Sequence, residues 1–151
     1  MSALAKDSIA LVEAPCGSEV YRQCLRLREA ILRKPLGLTL SDAELADDER
    51  RKHFCAVADD QAVGCVSLKP LDDDMLQLKQ MAVAEAWREA GIGARLVALA
   101  EAWGLGAGFR KIVLHARIGA EGFYAKLGYT SEGEIFEENT VPHIRMVKPL
   151  T

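Results

Sequence analysis

The sequence predicts an α+β fold, in which a mixed, mostly antiparallel sheet is flanked by helices in a single domain over residues 1–151. The length of 151 residues suits one domain, and a composition of 50% hydrophobic and 27% charged residues is that of a globular protein. Alternating apolar patterns and patterns with helical spacing succeed each other in the order β-α-α-β-β-β-α-β-α-β-β. Hairpins mixed with strands that are joined through helices favour a mixed sheet.

The first third of the chain predicts a strand and two helices. Residues 8–12 form the strand, and residues 19–33 form the first helix. Ser41 and Glu44 make a capping box for a short second helix. The apolar loop 36–40 between the helices is suited to line a pocket. In the first helix we expect an inward face and a solvated face, made respectively of Val20, Cys24, Leu27 and Ile31, and of Arg22, Arg26, Arg28 and Glu29.

The middle of the chain predicts a hairpin and then a strand followed by a helix. Residues 53–58 and 61–68 pair across a turn at residues 59–60. In the next strand, 76–83, Leu76, Leu78 and Gln80 are expected on one face, and Met81 and Val83 on the other. After residue 91 the spacing becomes helical, with an apolar stripe formed by Ile92, Leu96, Leu99 and Trp103.

The last third predicts a loop, a buried strand, a helix and a final hairpin. The glycine run 104–108 is expected to be a C-cap and loop. Residues 111–116 form the strand, and residues 118–127 form a helix that Gly128 ends. Residues 132–136 and 143–148 form two strands around the turn 139–142. An exposed final strand would let two copies pair, so the sequence is compatible with a homodimer.

Gly91 and Gly93 lie at the start of a helix that directly follows a strand. Free N–H groups and the helix dipole make such an end mildly positive, and glycine lets a ligand approach the backbone. A phosphate or pyrophosphate suits this place, although a plain helix start with small residues would look the same. The run lacks the lysine and hydroxyl of a P-loop and the third glycine of a dinucleotide fingerprint.

Bulk properties exclude several classes of protein. A net charge of −3 argues against a nucleic-acid binder, and no apolar run reaches membrane-spanning length. The N-terminal residues 1–14 carry Asp7 and Glu13 and have no signal-peptide block. The four cysteines, Cys16, Cys24, Cys55 and Cys65, show no metal-ligand spacing, so we expect a cytoplasmic protein with reduced thiols and no metal.

Two motifs in this order resemble the GNAT superfamily of acyl-CoA-dependent N-acetyltransferases, and the resemblance covers nearly the whole chain. The first is the strand end at residues 81–83 with the stretch from Arg88 to Gly93. The second consists of Ala120, Phe123, Tyr124, Leu127, Gly128 and Tyr129. The tail, with Phe136, Glu138, Pro142, His143 and Met146, is similar to that of a bacterial subset of the family. The resemblance implies a GNAT-like sheet, acetyl-CoA as co-substrate and no metal.

The resemblance also implies roles for individual residues. Backbone groups of the central strand would bind the pantetheine arm, and amides at the helix start would bind the pyrophosphate. Tyr124 would face the thioester sulfur and protonate the departing thiolate. The implied cofactor-binding residues are Met81, Ala82, Val83, Arg88, Glu89, Ala90, Gly91, Ile92, Gly93, Ala94, Arg117 and Tyr124. Arg117 stands where many members have asparagine, and it could contact the coenzyme, contact a phosphate or be merely solvated.

The base that removes the proton from the amine is less defined. The central strand 76–83 contains no carboxylate, whereas some family members have a glutamate there. His143, Glu137 and Glu138 are candidates on the last hairpin, and histidine is well suited to proton transfer. A structural hydrogen bond across the hairpin is the alternative for His143, and a packed aromatic residue is the alternative for Tyr124. His115 is expected to be a hydrogen-bonded histidine of the second central strand.

These observations favour an N-acetyltransferase that moves an acetyl group from acetyl-CoA to a primary amine of a small molecule or peptide by direct attack. The acceptor would lie over residues 32–40 and the final hairpin. The acidic runs 47–49 and 72–74 could attract a cationic polyamine or lysine peptide, although such runs are usually solvated turns. The alternatives are a non-catalytic acyl-CoA sensor or scaffold and, with less support, a nucleotide-binding regulator.

Overall fold

A computed structural model describes residues 8–151, which form one seven-stranded sheet in the order β1-β2-β3-β4-β5-β7-β6. The predicted order of strands and helices is confirmed. The strands are β1 Ala10–Glu13, β2 Lys52–Ala58, β3 Gln61–Pro70, β4 Met75–Val83, β5 Lys111–Arg117, β6 Thr130–Glu138 and β7 Val141–Pro149. The helices are α1 Glu19–Arg28, α2 Asp42–Asp47, α3 Ile92–Gly106 and α4 Glu121–Lys126. The N-terminal expectation of no signal peptide rests in part on residues 1–7, which lie outside the described range.

The sheet opens at its centre, between β4 and β5. Within the described sheet this is the one parallel pairing, and it runs only from Met75 opposite Lys111 to Leu78 opposite Leu114. Beyond those residues β4 remains paired with β3, and β5 remains paired with β7. We call this point, where the two central strands separate, the fork. It divides an otherwise continuous sheet into two halves.

A β-bulge on β4 lies directly at the fork. Cys65 pairs with Ala82, but Ser67 pairs with Lys79, so two residues of β4 stand opposite one of β3. Gln80, inside the bulge, has a φ of 58°. The extra residue shifts by one position the alternation of β4 side chains between the two faces of the sheet. The predicted facing of this strand is therefore wrong in part.

The shift has a direct effect on packing. Met81 and Val83 pack against the same core cluster as Leu76 and Leu78, whereas Ala82 belongs to the cluster on the other side. The first cluster contains the buried stripe of α3 and Tyr124 of α4. The predicted α3 stripe is confirmed, with Ile92 and Leu96 buried and Leu99 and Trp103 packed against the core.

The second cluster lies between the sheet and α1. Tyr21 and Cys24 of α1 pack there against Cys55 and Cys65, and all four cysteines of the chain, including Cys16, are free thiols. The three clustered thiols are 3% exposed or less, so they act as small core residues.

The first helix differs from its prediction in two ways. The α-helix ends at Arg28 and continues as a π turn, Glu29–Arg33, and a short 3₁₀ turn that contains Pro35. Arg28, predicted to be solvated, is only 2% exposed, because it binds Asp48, with Nη1 2.7 Å from Oδ2. The run 47–49 is likewise not a plain solvated turn, since Asp48 is completely buried.

Asp48 joins the segment after α2 to the rest of the molecule. Its carboxylate accepts hydrogen bonds from Tyr21 and Arg28, and its carbonyl oxygen lies 2.9 Å from Nε2 of His53. Burial and the bond to Asp48 raise the pKa of Tyr21, and burial lowers the pKa of His53. A buried carboxylate of this kind is stable only while its partners are present.

The glycine run and the last helix also differ from prediction. Gly104 lies inside α3 rather than in a loop, and a Cβ there would come 2.8 Å from Cδ1 of Leu76. Gly108, with a φ of 96°, follows the helix. The last helix, α4, begins at Glu121 rather than at residue 118.

The expectation of a homodimer assumed that the last strand is an exposed edge of the sheet, and this assumption is wrong. β7 lies between β5 and β6, and β6 forms the edge.

No helix in the range 8–151 is long and apolar enough to cross a bilayer. Within the same range no group of three histidine, cysteine, aspartate or glutamate residues could hold a metal ion.

The first prediction concerns Gly64 of β3, over which α3 packs. A Cβ at this position would lie 2.7 Å from Cγ2 of Ile92, which is 1% exposed and cannot turn away. We expect Gly64→Ala to lower the free energy of unfolding by about 1–3 kcal/mol, as overpacking does. Urea denaturation measures the change.

Gly106→Ala is the matched control, because a Cβ there meets nothing within 4 Å. The same substitution at this helical position should leave the stability unchanged or raise it by up to about 1 kcal/mol. Equal stability of the wild type and Gly64→Ala would show that α3 does not rest on the sheet at this distance.

Candidate active site

The fork opens into a cavity of about 580 Å³. Its walls come from β4 and β5, its ends from α4 and the final hairpin, and its roof from the π turn and α2. The residues of the two strands are Gln77, Leu78, Lys79, Gln80, Met81, Leu114, His115, Ala116 and Arg117. The remaining lining residues are Leu32, Arg33, Ser41, Glu44, Arg51, Ala120, Phe123, Tyr124, Glu138, Asn139 and His143.

The N-terminus of α3 lies next to this cavity but does not line it. A short 3₁₀ turn precedes it, then Glu89 and Gly91 take positive φ angles of 70° and 77°, and the helix begins at Ile92. No side chain caps this end, so its amides are open to an external acceptor. The predicted placement of the glycines at the start of a helix after a strand is confirmed.

Phe123 of α4 connects the α3 N-terminus with the cavity. A Cβ on Gly93 would lie 3.1 Å from Cζ of Phe123, and Phe123 itself lines the cavity. A long ligand could therefore extend from the fork to the helix start past this ring. The glycine at position 93 keeps the backbone accessible at the point of closest approach.

Tyr124 lies in the cavity wall with an uncharged environment around its ring. It is 8% exposed and contacts Phe123 and Tyr129 edge-on, with ring centroids 4.9 Å and 5.9 Å away. No hydrogen-bond partner of its hydroxyl occurs among residues 8–151. Burial raises the pKa of Tyr124 to about 12, so the O–H stays protonated near neutral pH.

Glu138 lies between two histidines at the other end of the cavity. Its Oε1 is 2.9 Å from Nδ1 of His115, and its Oε2 is 3.8 Å from Nε2 of His143. The ring of Phe136 packs between the histidines, edge-on to His115 at 4.9 Å and stacked with His143 at 6.0 Å. The three polar side chains thus form one cluster, which we call the histidine cluster.

The backbone selects the tautomer of His143. Its Nδ1 lies 2.7 Å from the carbonyl oxygen of Val141, which can only accept a hydrogen bond. The proton of the neutral ring therefore resides on Nδ1, and Nε2 keeps its lone pair. Because His143 is 4% exposed and lines the cavity, this lone pair can accept a proton there, and Glu138 would stabilise the resulting imidazolium.

The roof of the cavity is held by ion pairs. Arg33, which the π turn brings inward, binds Glu44 of α2 through two of its nitrogens. Glu44 also accepts a hydrogen bond from the Gln80 side chain at 3.2 Å. Arg51 bridges the same Gln80, at 2.6 Å, to Asp47, also at 2.6 Å. The bulge on β4 is thereby fixed to the segment around α2.

The cavity brings together five of the residues singled out from the sequence, namely Met81, Arg117, Tyr124, Glu138 and His143. Ala82 and Val83 lie further along β4, and the range 88–94 lies beside the cavity. His115 has the expected hydrogen bond, but it also lines the site. Of the segment 32–40, over which the acceptor was expected, Leu32 and Arg33 lie in the lining. The apolar loop 36–40 does not line the cavity, so that expectation is wrong.

Sequence reasoning missed Arg33, Arg51, Lys79 and Gln80. Lys79 and Gln80 stand out as two consecutive polar residues near the end of an otherwise apolar central strand, and this was an available signal. Nothing in the local sequence marks Arg33 or Arg51, because their place depends on the π turn and on the pairing of distant segments.

Comparisons of sequence and of structure find known proteins that are similar to this chain. YyaT of Bacillus subtilis strain 168 is 27% identical over 103 residues, which make up 68% of this chain and 69% of that protein. A GNAT family acetyltransferase from Elizabethkingia anophelis, solved with acetyl-CoA bound, has a TM-score of 0.74 at 20% identity and covers 95% of this chain and 99% of its own.

An aminoglycoside 6'-N-acetyltransferase solved with coenzyme A has a TM-score of 0.75 at 21% identity, covering 94% of this chain and 97% of its own. At these identities the two structures show that the fold is shared. Residues 19–129 match the sequence model described as the acetyltransferase (GNAT) family. Because the match spans most of the chain, the protein belongs to the GNAT family of acetyltransferases and is an acyltransferase with acetyl-CoA as its co-substrate.

Proposed function

We propose that the protein transfers the acetyl group of acetyl-CoA to a primary amine by direct attack of the amine on the thioester. The observation that carries the proposal is the cavity at the fork, which holds a protonated phenol at one end and an imidazole with a free lone pair at the other. Acyl transfer to an amine requires an acid for the departing thiolate and a base for the amine proton.

Acetyl-CoA would lie along β4 and reach the start of α3. Its pantetheine arm would bind backbone groups of the segment Met81 to Val83, where the sheet is open towards β5. Its pyrophosphate would bind in the segment from Arg88 to Ala94, at the uncapped amides that begin α3, since the N-terminus of a 15-residue helix attracts anions. The amides of Arg88 and Ala90 already donate to backbone carbonyl oxygens of the preceding turn. The neighbour from Elizabethkingia anophelis, with acetyl-CoA bound, supports this choice of ligand.

Tyr124 would act as the acid. The C–S bond of the thioester breaks as the amine nitrogen bonds to the carbonyl carbon, and the sulfur takes the phenolic proton. Burial keeps the phenol protonated until the thiolate forms, but it also disfavours the tyrosinate, so the transfer requires prompt reprotonation of Tyr124. Solvent then reprotonates Tyr124.

His143 would act as the base, with Glu138 as its charged partner. The Nε2 lone pair takes the proton that the amine loses on attack, and the carboxylate 3.8 Å away stabilises the imidazolium. His115 holds the other oxygen of Glu138 and so fixes its orientation.

Direct attack is favoured over an acetyl-enzyme. Within residues 8–151 no cysteine lines the cavity, and Ser41, its one aliphatic hydroxyl, caps α2 by accepting a hydrogen bond from the Glu44 amide. The described lining therefore contains no cysteine or serine that is activated as a nucleophile.

The four free thiols are consistent with a cytoplasmic location.

A screen of amines tests this function. Acetyl-CoA and the protein are incubated with amino acids, amino sugars, polyamines and peptides, and products are identified by mass spectrometry. We expect an N-acetylated product and initial-rate patterns of a ternary complex. Acetyl-CoA binding without any product would instead favour a sensor or scaffold, and parallel-line kinetics would indicate an acetyl-enzyme.

Replacing Tyr124 tests the acid. Tyr124→Phe removes only the hydroxyl, so we expect turnover to fall about 10²-fold or more, while the Kd for acetyl-CoA measured by calorimetry changes little. Equal losses in both would mean that the hydroxyl only supports binding.

Tyr129→Phe is the matched control for this change. Tyr129 is equally buried and adjoins Tyr124, but its hydroxyl bonds to Glu101 outside the cavity. Its loss should reduce stability rather than turnover. A fall of turnover as large as that in Tyr124→Phe would contradict a specific role of the Tyr124 proton.

Replacing His143 tests the base through the pH profile. In His143→Gln the side chain can still hydrogen bond but cannot take up a proton, so we expect kcat/KM, expressed per free amine, to fall about 10²-fold and any acidic limb beyond that of the amine itself to disappear. His53→Gln, in the buried Asp48 network away from the cavity, should keep the acidic limb. An unchanged limb in His143→Gln would assign the base elsewhere.

A further inference from the structure

The charges of the cavity do not balance. Among its lining residues are four cations, Arg33, Arg51, Lys79 and Arg117, and two carboxylates, Glu44 and Glu138. The free cavity is therefore expected to be positive near neutral pH, even though the chain as a whole has a net charge of −3.

Two of the four cations are already neutralised. Arg33 binds Glu44, with 2.5 Å between Nη2 and Oε2, and Arg51 binds Asp47, with 2.6 Å between Nη2 and Oδ2. The second lining carboxylate, Glu138, has His115 as its hydrogen-bond partner at 2.9 Å and forms no ion pair with a lysine or arginine among residues 8–151.

Lys79 and Arg117 are the two lining cations that remain without an ion-pair partner in the described part of the chain. Neither has a carboxylate within 4.0 Å among residues 8–151. The one hydrogen bond of the Arg117 side chain there goes to the carbonyl oxygen of Leu32, at 3.1 Å, and leaves most of its donors unused. Lys79 lies on β4 and Arg117 on β5, just past the last pairing of the two strands, so they flank the fork from both sides.

Their surroundings add positive charge. Burial, Arg51 and Lys69 lower the pKa of Lys79, and burial and Arg33 lower the pKa of Arg117, while the charge of Glu138 acts in the opposite direction on both. Both side chains are half-buried, so water compensates them only in part. An anion bound by either side chain would offset the repulsion from these neighbouring cations.

We infer that the acceptor is an amine that also carries an anionic group, a carboxylate or a phosphate, and that Lys79 and Arg117 bind this group. The inference rests on the proposed amine acetylation and names its substrate class. The planar guanidinium suits a bidentate bond to either anion, and the ammonium adds a point charge. A polyamine would bring further positive charge into a cavity that already has an excess.

The acidic runs do not offset this excess. In the first run, Asp47 and Asp48 are bound to Arg51 and Arg28. The second run, 72–74, belongs to the turn between β3 and β4 and does not line the cavity. In the described lining, a cationic acceptor would therefore find Glu138 alone without a lysine or arginine partner, against the two cations Lys79 and Arg117.

Matched pairs of amines test the inference with the wild-type protein and acetyl-CoA. β-Alanine is compared with its primary amide, and 2-aminoethyl phosphate with 2-aminoethanol, with spermidine as a polycation. We expect kcat/KM to be about tenfold or more higher for the anionic member of at least one pair. The pair that shows the difference identifies carboxylate or phosphate. The amide has the more acidic ammonium and hence more free amine, so intrinsic reactivity works against the expected result.

Two variants connect this preference with the residues. Arg117→Gln and Lys79→Gln should each reduce the preference for the anionic member about tenfold, through KM for the acceptor, with KM for acetyl-CoA nearly unchanged. Lys52→Gln is the matched control: Lys52 lies on β2, is bound to Glu13 and does not line the cavity. Its preference should equal that of the wild type.

Three results of these assays would overturn the inferred acceptor class. Acetylation of neutral amines or spermidine at least as efficient as that of the anionic members overturns this inference and leaves the proposed function intact. A rise in KM for acetyl-CoA in Arg117→Gln, with the acceptor preference kept, assigns Arg117 to the coenzyme and also overturns it. Acetylation of no amine overturns the proposed function, and this inference with it.

Discussion

The site depends on the point at which β4 and β5 stop pairing. A parallel pair needs continuous slanted hydrogen bonds to stay closed, and here the pairing ends at Leu78 and Leu114. The bulge at Gln80 turns β4 away from β5 at this very point, and β7 binds the other side of β5 along its full length. The gap is therefore a consequence of how the strands pair, and the cavity, the proposed acid and the proposed base are all placed relative to it.

The roof over the gap depends on a buried charge. Asp48 holds Arg28 of α1 and Tyr21, and neighbouring Asp47 holds Arg51. These bonds set the segment after α2 against the sheet, so that Glu44 and Arg51 meet Gln80 above the bulge. A fully buried carboxylate is costly without partners, and here its partners also shape the side of the cavity where the acceptor would enter.

Much of the fold and part of the site could be predicted from the sequence, because local signals were strong there. The capping box of Ser41, the hairpin turns and the glycines before α3 act over a few residues, and the structure has them as expected. The facing of β4 was wrong because one bulged residue reverses the alternation, and no pattern of apolar residues marks it. The burial of Arg28 was missed because its partner lies 20 residues away.

The difference between local sequence signals and contacts between distant residues also applies to the chemistry of the site. Tyr124 could be singled out within a motif, whereas the tautomer of His143 follows from a carbonyl two residues away and the contact of Glu138 with His115 from strand pairing. The unbalanced charge of Lys79 and Arg117 is a property of the assembled cavity. It emerges only when each cation has been matched to a carboxylate in three dimensions.

Thermal unfolding with acetyl-CoA, and separately with ATP and NADH, tests most directly whether the fork and the start of α3 form one acyl-CoA site. Acetyl-CoA at about 100 times its Kd should stabilise the fold by about 2.7 kcal/mol, which raises the Tm by several degrees. The account predicts this shift for acetyl-CoA and little change with the two other nucleotides. An unchanged Tm with acetyl-CoA up to millimolar concentration would contradict it.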